Sequence, residues 1–364
     1  MHKTAAWPLF LVYAVLVVYA SLYPFADWRD QGIAAWSFLW APVSPYWTAF
    51  DIGTNVVGYI PLGGLLALTL LRTRRNPRAI LVPTLCAAVL SLVMEATQSY
   101  LPVRVPSNVD WVLNISGAWL GAVSTLTLEK WGAIERWSQV KARWFVSDAR
   151  GGIVLLALWP VALLFPASVP FGLGQVMERL ETELLERFEG SEALGWFALE
   201  PLSRQALSPG AELVCVFLGL LIPCLLGFCI IRTVPRKVFF VVGALSAGFA
   251  VTGLSSALSW GPLHAWAWLD LSAQWGMACA LVFALLMTGL PRRASASLLL
   301  LALGLYLSLL NQAPESPYFA QTLQEWEQGR FIRFNGLAQW VGWLWPYAAM
   351  VYVLFLVWKR DAKN

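Results

Sequence analysis

Charge is what this chain of 364 residues lacks: Asp, Glu, Lys and Arg make up 13% of it, against about 25% in a soluble globule. Histidine is nearly absent, with only His2 and His264, which excludes histidine-rich metal centres. All five cysteines (Cys86, Cys215, Cys224, Cys229, Cys279) fall inside apolar stretches and none forms a CxxC. A disulfide framework and a zinc site are therefore not expected. P-loop, HExxH and GxSxG motifs are missing too, so the sequence calls for no cofactor and assigns no metal. Nothing in it points to a nucleic-acid partner.

What is there is apolar: 59% of residues are hydrophobic and 21 are Trp. A spanning helix needs roughly 20 apolar residues, and interfacial Trp belts suit a membrane protein. Ten apolar runs are legible, at about 6–25, 52–71, 79–98, 109–128, 151–167, 211–231, 238–258, 268–290, 296–311 and 338–358. The expected fold is all-α, a polytopic membrane helix bundle of about ten transmembrane helices. The first run contains a passable cleavage site, "VYAS", but its apolar character continues to Phe25, which favours a retained helix over a signal peptide.

Lys and Arg concentrate on the cytoplasmic side of membrane proteins. Placing the N-terminus inside and alternating puts most of the 25 basic residues inside, in clusters at Arg72–Arg78, Lys130–Arg150, Arg232–Lys237 and Arg292–Arg293. Both termini are then cytoplasmic, and most acids fall outside. Much of that acidic excess lies in Leu173–Glu200, where Leu173, Val176, Met177, Leu180, Leu184 and Phe188 recur at helical spacing. The pattern predicts an amphipathic surface helix within about 172–208, with a second such segment at about 315–335. The organisation expected is a four-helix membrane domain over 1–130, a basic cytoplasmic linker over 131–150, and a six-helix region over 151–364.

Polar side chains gather where those helices meet the outer boundary. Asp51 and Asn55 open the second run, Glu95 and Gln98 close the third, and Asp110 and Asn114 open the fourth, with Arg104 and Ser107 in the loop "SYLPVRVPS" between the last two. Spacings of three or four residues put each pair on one helix face. Lipid-facing carboxylates are costly, so the faces are expected to turn inward to a common pocket. Gly58, Gly63, Gly64, Gly117 and Gly121 offer surfaces for close helix packing. The bland alternative is that Asp51 and Asp110 are helix caps and Glu95 snorkels. A hard cation on Asp51, Glu95 and Asp110 is chemically reasonable, but spacing on separate helices does not build it.

The series Ser91, Glu95, Gln98, Arg104, Ser107, Asp110, Asn114, Gly117, Gly121, preceded by Asp51, Asn55, Tyr59, Pro61, Leu62 and Gly63, resembles the signature of the VanZ-like family over about residues 5–130. Its members are polytopic bacterial membrane proteins named for an accessory factor in teicoplanin resistance. Ile52 stands where many members carry Lys, and Asn55 where others often carry His, which removes a titrating base. The resemblance implies the bacterial cytoplasmic membrane and an envelope role, with a membrane lipid or a lipid-linked cell-wall or polysaccharide precursor as partner. Three activities stay open on the residues. In an enzyme, Glu95 or Asp110 would act as acid or base and Arg104 would hold an anionic group, while Asp51, Asn55, Gln98, Ser107 and Asn114 would orient substrate. The others are a transporter or flippase, and a non-catalytic scaffold.

The later runs carry fainter echoes, Asp270 with Gln274 and Asn335 with Gln339, again at four-residue spacing. A degenerate second copy and chance capping both account for them, and His264 reads as an interfacial residue.

Overall fold

The computed structural model describes residues 6–22, 25, 27–43, 49–73, 78–165, 167–177, 180–181, 206–314 and 330–361, with 49–51, 73, 134, 262, 330–338 and 359–361 described by their backbone alone. These residues form eleven α-helices: α1 (Ala6–Leu22), α2 (Ala49–Thr73), α3 (Leu81–Gln98), α4 (Asn108–Lys130), α5 (Ala133–Trp144), α6 (Arg150–Ala162), α7 (Pro209–Ile230), α8 (Val234–Trp260), α9 (Leu271–Leu286), α10 (Arg292–Leu310) and α11 (Arg330–Asp361). The fold is all-α. Eight of the helices, α2 to α4 and α7 to α11, are long and apolar enough to cross a membrane. The other two apolar helices, α1 and α6, are shorter, at 17 and 13 residues.

The chain divides into two compact units, Met1–Gln139 and Val140–Asn364, the division falling inside α5. In the first unit, α2 and α4 run parallel with their backbones in contact. A methyl group placed on Gly117 would strike the Val56 carbonyl, one on Gly121 the Ile60 carbonyl, and one on Gly63 the Ala118 carbonyl. Small residues let helices approach this closely in lipid, where packing and interhelical hydrogen bonds replace the hydrophobic drive. Thr125 adds a hydrogen bond from its hydroxyl to the Gly64 carbonyl at 3.3 Å. Gly58, expected on this surface, meets nothing within 4 Å.

Helix α3 lies antiparallel to α4: Asn114 donates to Ser91 (3.0 Å), while Glu95, further along α3, accepts from Ser107 at the start of α4 (2.8 Å); the Trp111 indole also reaches the Ala88 carbonyl (2.9 Å). Between them the chain turns tightly, Tyr100 and Leu101 bonding back to Thr97 and Gln98. Ser107 then caps α4, its hydroxyl accepting from the amides of Val109 and Asp110 at 3.2 and 3.3 Å. Asp110 sits in the first turn, where the helix dipole favours an acid. Tyr13 ties α1 to α2 through the Gly58 carbonyl at 2.9 Å.

In the second unit α7 is central. Cys215, Val216 and every residue from Leu218 to Ile230 are buried, as expected for a helix that is apolar all round. Ser208 caps it and Pro209 fills the first helical position. The expected fifth span, 151–167, is interrupted. Pro160 lies in the last turn of α6, the helix ends at Ala162, and the chain continues to Val176 largely without helix. Proline supplies no N–H to extend the ladder.

That loop is buried rather than exposed. Tyr306 donates its hydroxyl to the Phe171 carbonyl (2.7 Å) and accepts from the Leu173 amide (2.5 Å). Asn311 accepts from the amides of Val176 and Met177, each at 3.1 Å, and Tyr347 donates to the Gly174 carbonyl at 3.1 Å. Buried non-helical backbone survives only when protein groups satisfy it in this way. Leu173 to Val176, expected to begin an amphipathic surface helix, belong to this loop. Residues 182–205 of that segment and 315–329 of the second lie outside the described residues.

The α2–α4 contact makes a specific prediction. Gly121→Val drives side-chain carbons into a backbone carbonyl that has nowhere to move, and overpacking of this kind costs about 1–3 kcal/mol. Gly58→Ala meets open space, and in a helix it gains about 0.5–1 kcal/mol. Thermal unfolding of the two purified variants should move in opposite directions. Equal melting temperatures would contradict the packing.

Candidate functional site

The site forms at the end of the first unit where α2 begins, α3 ends and α4 begins. The parallel contact of α2 with α4 sets two residues against each other: Asn55 Nδ2 donates a short hydrogen bond to Asp110 Oδ1. The antiparallel contact of α3 with α4 sets two more pairs. Glu95 Oε2 accepts from the Ser107 amide at 2.8 Å, and Asn114 Nδ2 donates to the Ser91 hydroxyl at 3.0 Å. Arg104 lies within electrostatic reach of Glu95 and donates from Nη2 to the Ala20 carbonyl of α1 at 2.9 Å.

Glu95, Asn114 and Arg104 are buried, while Asn55, Ser107 and Asp110 are half-buried. Glu95 is 3% exposed, Asn114 5% and Arg104 8%. An isolated ionised group is expensive to bury, so the presence of an acid and a base within reach of each other, each with a hydrogen-bond partner, is what permits them here. Tyr59 completes the cluster from α2, one turn beyond Asn55. Its hydroxyl lies within hydrogen-bonding reach of Ser91 and near the Glu95 and Asp110 carboxylates. Asn114 Oδ1 is buried without a partner.

Not every expected residue turns into this cluster. Gln98 donates from Nε2 to the Ser21 carbonyl of α1 at 2.9 Å, which makes it a tie between helices. Ser107 contributes its amide to Glu95, while its hydroxyl is occupied in capping α4. Asp51 lies in the first turns of α2, and its side chain falls outside the described residues. Among the described residues no group of three His, Cys, Asp or Glu is gathered as a metal site.

Two members of the cluster, Tyr59 and Ser91, were part of the sequence signature but carried no assigned role. Helical spacing had the signal: Tyr59 follows Asn55 by four residues, and Ser91 precedes Glu95 by four. The contributions of α1 are backbone carbonyls, for which side-chain identity gives no signal.

Eight long apolar helices make this a multi-pass membrane protein, and its first unit builds an acid–base–amide cluster between its helices. Residues 10–129 match the model of the VanZ/LLP1 family, and this stretch holds every side chain of the cluster. No curated protein and no solved structure matches the chain.

The geometry separates two residues of similar appearance. Glu95→Ala leaves the Ser107 amide without its acceptor and removes the negative charge that Arg104 faces, costing about 1–3 kcal/mol for an orphaned buried group. Gln98→Ala removes a neutral bond worth about 0.5–1.5 kcal/mol. Denaturation of the purified variants should place Glu95→Ala clearly below Gln98→Ala in stability. The reverse order would mean that the Glu95 carboxylate does not organise the loop.

Proposed function

We propose that the first unit binds or modifies the polar head group of an anionic lipid-linked envelope molecule of the cell-wall or surface-polysaccharide precursor class. One observation carries this reading. Asn114 Oδ1 is buried without a hydrogen-bond partner in the midst of groups that are otherwise tied. A cluster whose sole task is to lock helices together satisfies its polar atoms, because each orphan costs about 1–3 kcal/mol. An unsatisfied buried acceptor in such a cluster is the expected mark of a site that a ligand completes.

The donor and acceptor types fit a sugar phosphate. The Arg104 guanidinium offers several N–H groups in a planar fork suited to phosphate. Glu95 and Asp110 accept hydrogen bonds from sugar hydroxyls, and the Asn114 carbonyl and Tyr59 hydroxyl add an acceptor and a donor. In a modification reaction, Glu95 and Asp110 are the acid–base candidates. The family match over residues 10–129 supports an envelope setting. By the distribution of basic residues, the cluster faces away from the cytoplasm in a bacterial cytoplasmic membrane, with both chain ends inside. Altered teicoplanin susceptibility and altered surface polysaccharide are the phenotypes this reading expects.

Conservative variants test the site without removing its bonds. Glu95→Gln keeps an acceptor, and Arg104→Gln, Asp110→Asn and Tyr59→Phe change one property each. All four should insert normally and lose at least about tenfold in retention of a labelled lipid-linked saccharide by the purified protein, the effect of one charged hydrogen bond. Full retention in every variant would sink the proposal. A changed product marks modification, retention alone marks binding, and movement across vesicles without change marks transport.

Orientation has its own test. Val105 is 84% exposed in the loop between α3 and α4, so Val105→Cys, with the native cysteines replaced, should react with a membrane-impermeant maleimide in intact cells. Labelling only after lysis would place the loop inside and remove the outward-facing part of the reading.

A further inference from the structure

The second unit holds a cavity of about 240 Å³ that the cluster of the first unit does not use. It opens where α7 and α9 begin and α8 ends, and the buried loop after α6 forms its remaining wall. Two carboxylates line it, Glu212 from the first turn of α7 and Asp270 from the cap of α9. Among the described residues, no Lys, Arg or His lines it. Asp270 is held in place by the Ala273 amide on Oδ1 at 2.8 Å.

The uncharged groups point the same way. The hydroxyls of Ser255 and Ser256 spend their protons on the carbonyls of Leu164 (2.9 Å) and His264 (2.7 Å), which leaves acceptor lone pairs. Thr252 Oγ1 is buried and has no hydrogen-bond partner at all. Trp260, Trp268 and Phe171 supply aromatic surface. The Phe171 ring meets Trp268 edge-on, with centroids 5.6 Å apart and planes at 89°.

That wall is held rigidly. Phe171 has φ 61°, a left-handed conformation uncommon for a bulky residue, and the Tyr306 hydroxyl fixes its carbonyl at 2.7 Å. The space amounts to roughly eight water molecules, the scale of a small organic group.

Negative charge, surplus acceptors and aromatic faces, with no cationic side chain among the described lining residues, are the surroundings that select an organic cation. We propose that this cavity binds an organic ammonium group, with its charge against Glu212 and Asp270 and its alkyl or methyl face against Trp260 and Trp268. The ammonium comes either from the head group of an aminophospholipid in the surrounding bilayer or from a soluble amine. The site lies within the second unit, and its test is independent of the reading of the first.

The full-length protein in detergent is titrated calorimetrically with ethanolamine, with choline, and with 3,3-dimethyl-1-butanol, the neutral isostere of choline. In parallel, melting is measured in nanodiscs of phosphatidylglycerol with and without phosphatidylethanolamine. The proposal expects a cation to bind at least about tenfold more tightly than the neutral isostere, and Glu212→Gln and Asp270→Asn each to weaken it about five- to tenfold. Asparagine keeps the helix cap, and a melting temperature equal to wild type in both variants confirms that the fold is kept. If one variant melts low, the other carries the comparison. A response to the free amines shows a soluble ligand. Stabilisation by phosphatidylethanolamine alone, lost in Glu212→Gln, shows a lipid head group. Equal binding of the neutral isostere, binding undiminished in well-folded variants, or no response in either arm overturns the proposal.

Discussion

The first unit depends on the absence of side chains between α2 and α4. Gly63, Gly117 and Gly121 bring helix backbone against helix backbone, a distance at which no larger residue fits. Every polar contact between these helices inherits its register from that approach. Asn55 meets Asp110 because Gly117 admits Val56, and Tyr59 reaches Ser91 and the carboxylates because Gly121 admits Ile60. In a membrane, close packing and hydrogen bonds must hold helices that water would otherwise push together. The glycines supply the first and make room for the second.

The second unit answers the same demand by a different route. Its central helix α7 is covered on all sides by other helices, so it needs no polar register. The polar burden falls on the loop after α6, whose backbone groups are taken up by Tyr306, Asn311 and Tyr347. Gly219 makes room on α7 for the Phe171 carbonyl, since a methyl there would stand 2.9 Å from it. A loop held this fully becomes a wall as firm as a helix, and one that can show carbonyls and rings to a cavity.

Much of this was legible from residue order. Apolar runs located the helices to within a few residues, and three- and four-residue spacings put Asn55, Glu95, Asp110 and Asn114 on faces that do converge. What escaped were features in which apolar character and helicity part company. Residues 151–167 read as a span because burial demands apolar side chains in a packed loop as much as in a helix. Pro160 and Pro170 held the contrary signal, but proline is tolerated in membrane helices, and Pro61 and Pro223 do sit inside α2 and α7. Gln98 shared a face with Glu95 by spacing and yet pairs with an α1 carbonyl, because the side chain extends past the end of its helix turn to the nearest acceptor.

The depth of the cluster bears on what it can hold. Glu95 is in the last turn of α3 and Asp110 in the first turn of α4, so both lie within about 5 Å of a helix end. A charge there is far cheaper than at the centre of a bilayer, where insertion costs about 2.5–3.5 kcal/mol. Transport sites sit near the midplane, where both sides can be reached in turn. On the reading proposed above, a cluster at the helix ends meets the head-group layer from one side only. Such a placement suits a ligand whose apolar tail stays in the bilayer while its polar head is drawn sideways between the helices, with Tyr59 and Asn114 one turn deeper to receive it.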